Sequence, residues 1–414
     1  MAHSETSVYK RKVKLLSKKY IHLQNSISVL SDIHWKPSVK NKFQALEFKS
    51  FPEVTKEDFG DPTYDYAKKH KQLTDFVEEV EYHLSSGDPV GRMLIRNTKA
   101  WILGLELSEA KNTPEFYEIS KKIYGSSEDR IFGMKLIDIA KKLDKWFTEL
   151  EIKQPVLEKT VTSSEMVTEL KTRLKSYFKK DIAVHEKEHM SSDADAGLDS
   201  INIRKGAVFT LKDVGVFEVH EGWVHMGSFM NGHQQPYTEF LGEPCPGTDI
   251  VQEGLGALTE VVTMNIYPAR AKKIIDRVIA INMAENGASF LDVYRWYLNK
   301  TKDDPDTAFV NTERVFHGGL IQGGAPFTRD IIYLKGFLFI VKFLDMCFDK
   351  NHPELIPYLF DGNLYIDDIP SIYLLAKQGI VKPPTYVPTI FREDINHLKK
   401  FLEKFSFIKD KLRS

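Results

Sequence analysis

Apolar residues recur at three- and four-residue intervals over most of this sequence, and the elements that this spacing predicts are helices. The pattern predicts a first helix over 6–31, broken at Trp35-Lys36-Pro37, and further helices near 71–86, 91–111, 114–124 and 131–148. Composition shifts at Lys153-Gln154-Pro155, and a helix follows at about 164–178. The period then changes: Ile182-Ala183-Val184-His185 and Ile201-Asn202-Ile203-Arg204 read as short strands, with Phe209-Thr210 continuing the edge. Helical spacing returns over 249–266, 269–284, 287–300, 305–317, 329–347, 353–359, 367–377 and 393–409. The expected fold class is therefore α+β and predominantly α-helical, with a small β-sheet. The expected organisation is a helical N-terminal lobe over 1–152 and a second lobe over 153–414, both large enough to share one core.

One stretch departs from amphipathic spacing. Val214, Val216, Phe217, Val219, Trp223, Val224, Met226, Phe229 and Met230 make the helix around 211–233 apolar on nearly every side, which predicts deep burial. Inside it stands His220-Glu221-Gly222-Trp223-Val224-His225. Two imidazoles and a carboxylate buried in such company need partners, and a divalent cation would serve all three.

The bulk properties leave that reading open and close others. A 42% hydrophobic and 28% charged chain with net charge -1 is an ordinary globular protein, with no global reason to bind nucleic acid or an acidic membrane. No stretch approaches the ~18 apolar residues of a membrane span. The chain has two cysteines, Cys245 and Cys347, too few for a disulfide framework or a Cys-rich zinc site. A cytoplasmic location is expected. The basic run Lys10 to Lys19 reads as a solvated helix face. Oligomeric state has no signature.

His220 and His225 are five residues apart, whereas the familiar H-E-x-x-H zinc helix has its histidines four apart. At about 100° per residue, four steps leave two rings roughly 40° apart and five leave them roughly 140° apart. An undistorted α-helix cannot aim both at one ion. A π-bulge near Gly222 would restore the alignment. A correctly spaced copy, His185-Glu186-Lys187-Glu188-His189, follows a β-branched run and carries charge where burial is required, so it reads as surface. Glu253, in Gln252-Glu253-Gly254-Leu255-Gly256, opens the next apolar helix and is the expected third ligand, in the gluzincin arrangement. His233 is its competitor. Glu260, seven residues on, is placed to orient a histidine ring.

With these pieces the chain resembles the QEGLA-motif proteins (flavohaemoglobin expression-modulating QEGLA-motif proteins), related to the microtubule-associated tyrosine carboxypeptidases. The resemblance rests on HEGWVH (220–225), NGHQQP (231–236), QEGLGALTE (252–260), RVFHGG (314–319) and PFTRDIIYLKG (326–336). It implies one zinc ion per chain on His220, His225 and Glu253, with Glu221 as catalytic base. Gly256 stands where the family pattern has Ala, a small change on a close-packed helix, and His317 and Arg329 stand where Arg and Lys are more usual. Tubulin is not carried over as substrate, because no extended basic arm is apparent.

The expected function is that of a zinc metallopeptidase, a carboxypeptidase by preference, acting on the C-terminal tail of a peptide or protein. Residues 311–336 are the expected substrate side: Arg314 or Arg329 would hold a carboxylate, and Tyr333 would donate to the developing oxyanion. Thr328 is the expected N-cap there, with Asp330 in the favourable first turn. The alternative is a regulatory binding protein whose metal only staples two helices.

Overall fold

The computed structural model describes residues 2–50, 52–62, 64–85, 87–153, 157–188, 190, 192–197, 199–301 and 304–413, with side chains described from 6 to 405. Helices dominate and strands are few and short, an α+β fold that is predominantly α. The first helix, Ala2–Gln24, stops earlier than its spacing suggests, and a separate short helix occupies Val29–Ile33. Tyr66–Leu84 and Pro89–Glu109 then pack against each other. Each is started by an aspartate, Asp65 and Asp88, whose side chain accepts a backbone N–H of the first turn. The helix expected from 131 begins at Leu136, because Arg130–Ile131 and Met134–Lys135 form a hairpin turned at Phe132 and Gly133, both at positive φ.

The strands make three small sheets rather than one. Ala183–Lys187 pairs in parallel with Ser200–Arg204, which also takes Ala194–Ala196 antiparallel on its other edge. Phe209-Thr210 does not continue this sheet. Val208–Thr210 pairs instead with Lys159–Thr162, a strand with only Val161 buried and therefore little apolar signal. His185 lies exposed on the first of these strands, and His189 falls outside the described residues.

Two buried clusters organise the molecule. The larger gathers side chains from Val13 to Phe405, so residues of the N-terminal helices and of the C-terminal half share one apolar interior. The smaller joins Met166, Leu170 and Leu174 of the helix Ser163–Phe178 to Ile201, Ile203, Val216 and Met230. The helical stretch 211–233 lies between them, with Val224 in the larger cluster and Val214, Phe217 and Met226 in the smaller. That double burial is the physical reason its sequence is apolar on nearly every side. Among the described residues, no helix is long and apolar enough to cross a membrane.

Candidate metal centre

Thr210 starts the stretch with a capping box: its hydroxyl accepts from Asp213 N–H, and the Asp213 carboxylate accepts from the Thr210 backbone. The α-helix Leu211–Phe217 then widens into a π-helix, Glu218–Met226, before closing as Gly227–His233. A π turn spans five residues per hydrogen bond, so positions five apart stand over each other as positions four apart do in an α-helix. His220 and His225 accordingly meet, with ring centroids 4.8 Å apart and planes at 77°. The distortion is a full π segment rather than a single bulged residue. Gly222 does not take a left-handed conformation within it. Its lack of a side chain matters for packing, since a Cβ there would run into the Leu174 side chain.

The facing helix, Asp249–Val262, brings Glu253 to the same point. Its Oε2 lies 3.2 Å from His220 Nε2 and 3.9 Å from His225 Nε2. Each histidine reaches it with the same nitrogen because its other nitrogen is taken. His220 Nδ1 donates to Glu260 Oε1 at 2.7 Å, and His225 Nδ1 to Gln252 Oε1 at 3.3 Å. His220, His225 and Glu253 thus offer three donor atoms within 4.8 Å of one another. His233 faces Glu243 at 3.9 Å instead.

The supports are as ordered as the donors. Glu260 is fully buried and also accepts from Arg270, Nη2 to Oε1 at 2.9 Å and Nε to Oε2 at 3.2 Å. Gln252 is fixed by its own donation to the Gly362 carbonyl at 3.0 Å. Sequence reasoning did not single out either Arg270 or Gln252. The position of Gln252 directly before Glu253 was a signal; for Arg270 there was none beyond an arginine near a helix start. Gly256 lies on the same helix face, and a Cβ there would stand 2.5 Å from the His220 ring. The difference from Ala is therefore not small, as it sets how close the ring can sit to the helix.

Electrostatics at this point favour a cation. Burial opposes charge on His220, but Glu253, Glu260 and Glu221 around it push its pKa up to about 10. Burial likewise opposes charge on Glu253, yet His220, His225 and Arg329 hold its carboxyl well below the usual range. Without a metal, a proton on His220 supplies the positive charge that these carboxylates demand. The donor set of two neutral imidazoles and one carboxylate suits zinc, with a coordination position to spare. Glu221, next to His220, is half-buried, and its carboxylate makes no hydrogen bond or ion pair to another described residue.

The expected substrate side is close by, in a different state from the one the spacing suggested. Thr328 is not a side-chain cap: its hydroxyl pairs with Ser120 Oγ at 2.8 Å, and a short 3₁₀ turn, Arg329–Ile331, precedes the helix Ile332–Asp349. That helix crosses Asp249–Val262 where Gly254 meets Gly336, an approach that leaves no room for a Cβ on either. Asp330 is an ion-pair hub. Arg314 grips it with Nε to Oδ2 at 2.5 Å and Nη2 to Oδ1 at 2.9 Å. Arg329 donates to Asp249 Oδ2 at 3.0 Å, one turn before Glu253. Both arginines therefore already hold a carboxylate of this chain. Tyr333 is half-buried under the Arg277 guanidinium, whose carbon lies 4.1 Å from the ring centroid. Burial and the Glu253 charge raise the Tyr333 pKa, which keeps the phenol protonated and able to donate.

A model of the family described as microtubule-associated tyrosine carboxypeptidase matches residues 41–410, most of the chain. A search of curated proteins found no match.

Proposed function

The chain belongs to the microtubule-associated tyrosine carboxypeptidase family, and from that premise we propose that it is a zinc-dependent carboxypeptidase that removes the last residue from a protein or peptide tail. The observation that carries the zinc is the convergence of His220, His225 and Glu253 on one point, their outer nitrogens held by Glu260 and Gln252. When bound there, zinc supplies Lewis acidity toward a water and a scissile carbonyl. The chain's residues do the rest. Glu221 stands beside His220 with its carboxylate uncommitted, so it is placed to take a proton from attacking water and pass it to the leaving amine. Tyr333 keeps its proton and can donate to the carbonyl oxygen as charge develops on it. The apolar packing of the stretch 211–233 between two cores restricts solvent around the site.

The family name makes a C-terminal tyrosine the first substrate to try. Zinc analysis of the purified chain should find about one ion per molecule. Release of free tyrosine from an acidic peptide ending in tyrosine should stop on chelation and return with added zinc. A purely structural metal would show stoichiometric zinc with no release. A graded test comes from Gly256→Ala, which should weaken zinc about 10-fold or more by displacing the His220 ring. Competition with a chromophoric chelator measures it, and unchanged affinity would mean the ring shifts freely.

A further inference from the structure

Arg314 and Arg329 carry the carboxylate-gripping chemistry expected from sequence, yet each already holds an aspartate of this chain. The same cluster holds a third arginine whose grip on an aspartate is looser. Arg277, in the helix Pro268–Glu285, forms only a 3.7 Å ion pair with Asp330 Oδ2, whereas Arg314 holds the same carboxylate with two hydrogen bonds. The Arg277 guanidinium makes no hydrogen bond to a described residue, so the donors of its planar fork are available. Its side chain is also the least covered of the three, 23% exposed against 16% for Arg314 and 17% for Arg329.

Position and charge point the same way. Arg270 and Arg277 are seven residues apart on one helix, two turns on the same face and about 10 Å along it. Arg270 holds Glu260 behind His220, while Arg277 lies over Tyr333. One helix thus supports the metal centre from its first turn and, at its middle, presents a loosely paired guanidinium over Tyr333. Around the guanidiniums of Arg277, Arg314 and Arg329 stand the carboxylates of Asp330 and Asp249 and, beside Arg329, that of Glu253. Of the three, Arg277 is the one without a hydrogen bond to a carboxylate, so it has the most to gain when a further anion arrives.

We propose that Arg277 is the specificity residue that pairs, fork to fork, with the terminal carboxylate of the substrate, making the site an exopeptidase by charge. The aspartate-bound Arg314 and Arg329 are positioning residues that fix Asp330 and the start of the Tyr333 helix. The assignment rests on the carboxypeptidase reading above, and adds which residue enforces it. A guanidinium suits this role better than an ammonium, because a carboxylate is planar and accepts two parallel N–H bonds.

Binding separates this from activity. Zinc-loaded full-length protein carrying Glu221→Gln is titrated with a fluorescent hexapeptide ending in tyrosine, as the free acid and as the C-terminal amide. With Arg277 present the acid should bind about 10- to 100-fold tighter than the amide. Adding Arg277→Gln should bring the ratio close to one by weakening only the acid. Arg277→Lys, which keeps the charge and loses the fork, should fall between. The lysine variant also guards against a fold defect, since a misfolded site would weaken amide and acid alike. A ratio unchanged by Arg277→Gln would overturn the assignment and leave the carboxypeptidase reading intact. Equal binding of acid and amide with Arg277 present, together with internal cleavage by the otherwise unaltered enzyme, would remove both.

Discussion

Replacing Glu221 with Gln should lower kcat for release of a C-terminal residue by about 10²–10⁴-fold, the usual worth of a positioned base, while zinc stays bound. Gln matches Glu in shape and cannot accept the proton. Glu221 is not one of the three convergent donors, and no hydrogen bond or ion pair among the described residues depends on its carboxylate. The substitution therefore separates chemistry from architecture. Three measurements on one preparation decide it: zinc content, thermal midpoint and rate of tyrosine release. A rate that survives with zinc in place would remove Glu221 from the mechanism. Loss of zinc along with the rate would instead make it part of the metal's surroundings.

A second large effect is expected from Glu260→Ala, and here both stability and metal should suffer. Glu260 is fully buried and serves two partners, His220 Nδ1 and the Arg270 guanidinium. Its removal leaves a guanidinium without its carboxylate, a loss of about 3–5 kcal/mol when one member of a buried pair is deleted. It also frees the His220 ring to turn or to take the other tautomer, which typically costs 10- to 100-fold in metal affinity (about that much for an outer partner of a ligand). Denaturant unfolding of the metal-free chain reads the first effect. Chelator competition reads the second. Glu260→Gln keeps an acceptor for His220 and should recover part of the affinity but little of the stability, because Arg270 still lacks a charge partner. Unchanged affinity in both variants would show that the helix alone orients His220.

The two experiments bear on how a seemingly misspaced motif works. With the histidines five residues apart, a regular helix would send the rings apart, and the energy to prevent that must come from elsewhere. The packing supplies it. Val224 is locked in one core and Met226 in the other, Gly222 lets Leu174 close in, and Glu260 and Gln252 fix the outer ring nitrogens. The π segment is held from all sides rather than by its own backbone preference.

Much of this was legible in the residues. The apolar surround of 211–233 marks the stretch as buried, the five-residue spacing demands a widened turn, and Glu253 opens an apolar helix at the distance a third donor needs. The helices of the second half also follow their spacing closely, since 3.6-residue periodicity is a local property that burial of one face enforces. The strands were less readable. Lys159–Thr162 has one buried residue, and its pairing with Val208–Thr210 depends on a partner some fifty positions away.

What the sequence by itself determined is therefore the set of helices, the buried histidine stretch and the types of group available to a metal, because each is written in local period and composition. What only the tertiary structure decided is which charges are already spent. Arg314, Arg329 and Arg277 look alike along the chain. Asp330 and Asp249 accept hydrogen bonds from Arg314 and Arg329 and leave Arg277 only a looser ion pair, an outcome of helices meeting in space that no spacing encodes. Gly256 is the same lesson in steric form: a glycine for an alanine reads as minor until the His220 ring is found against it.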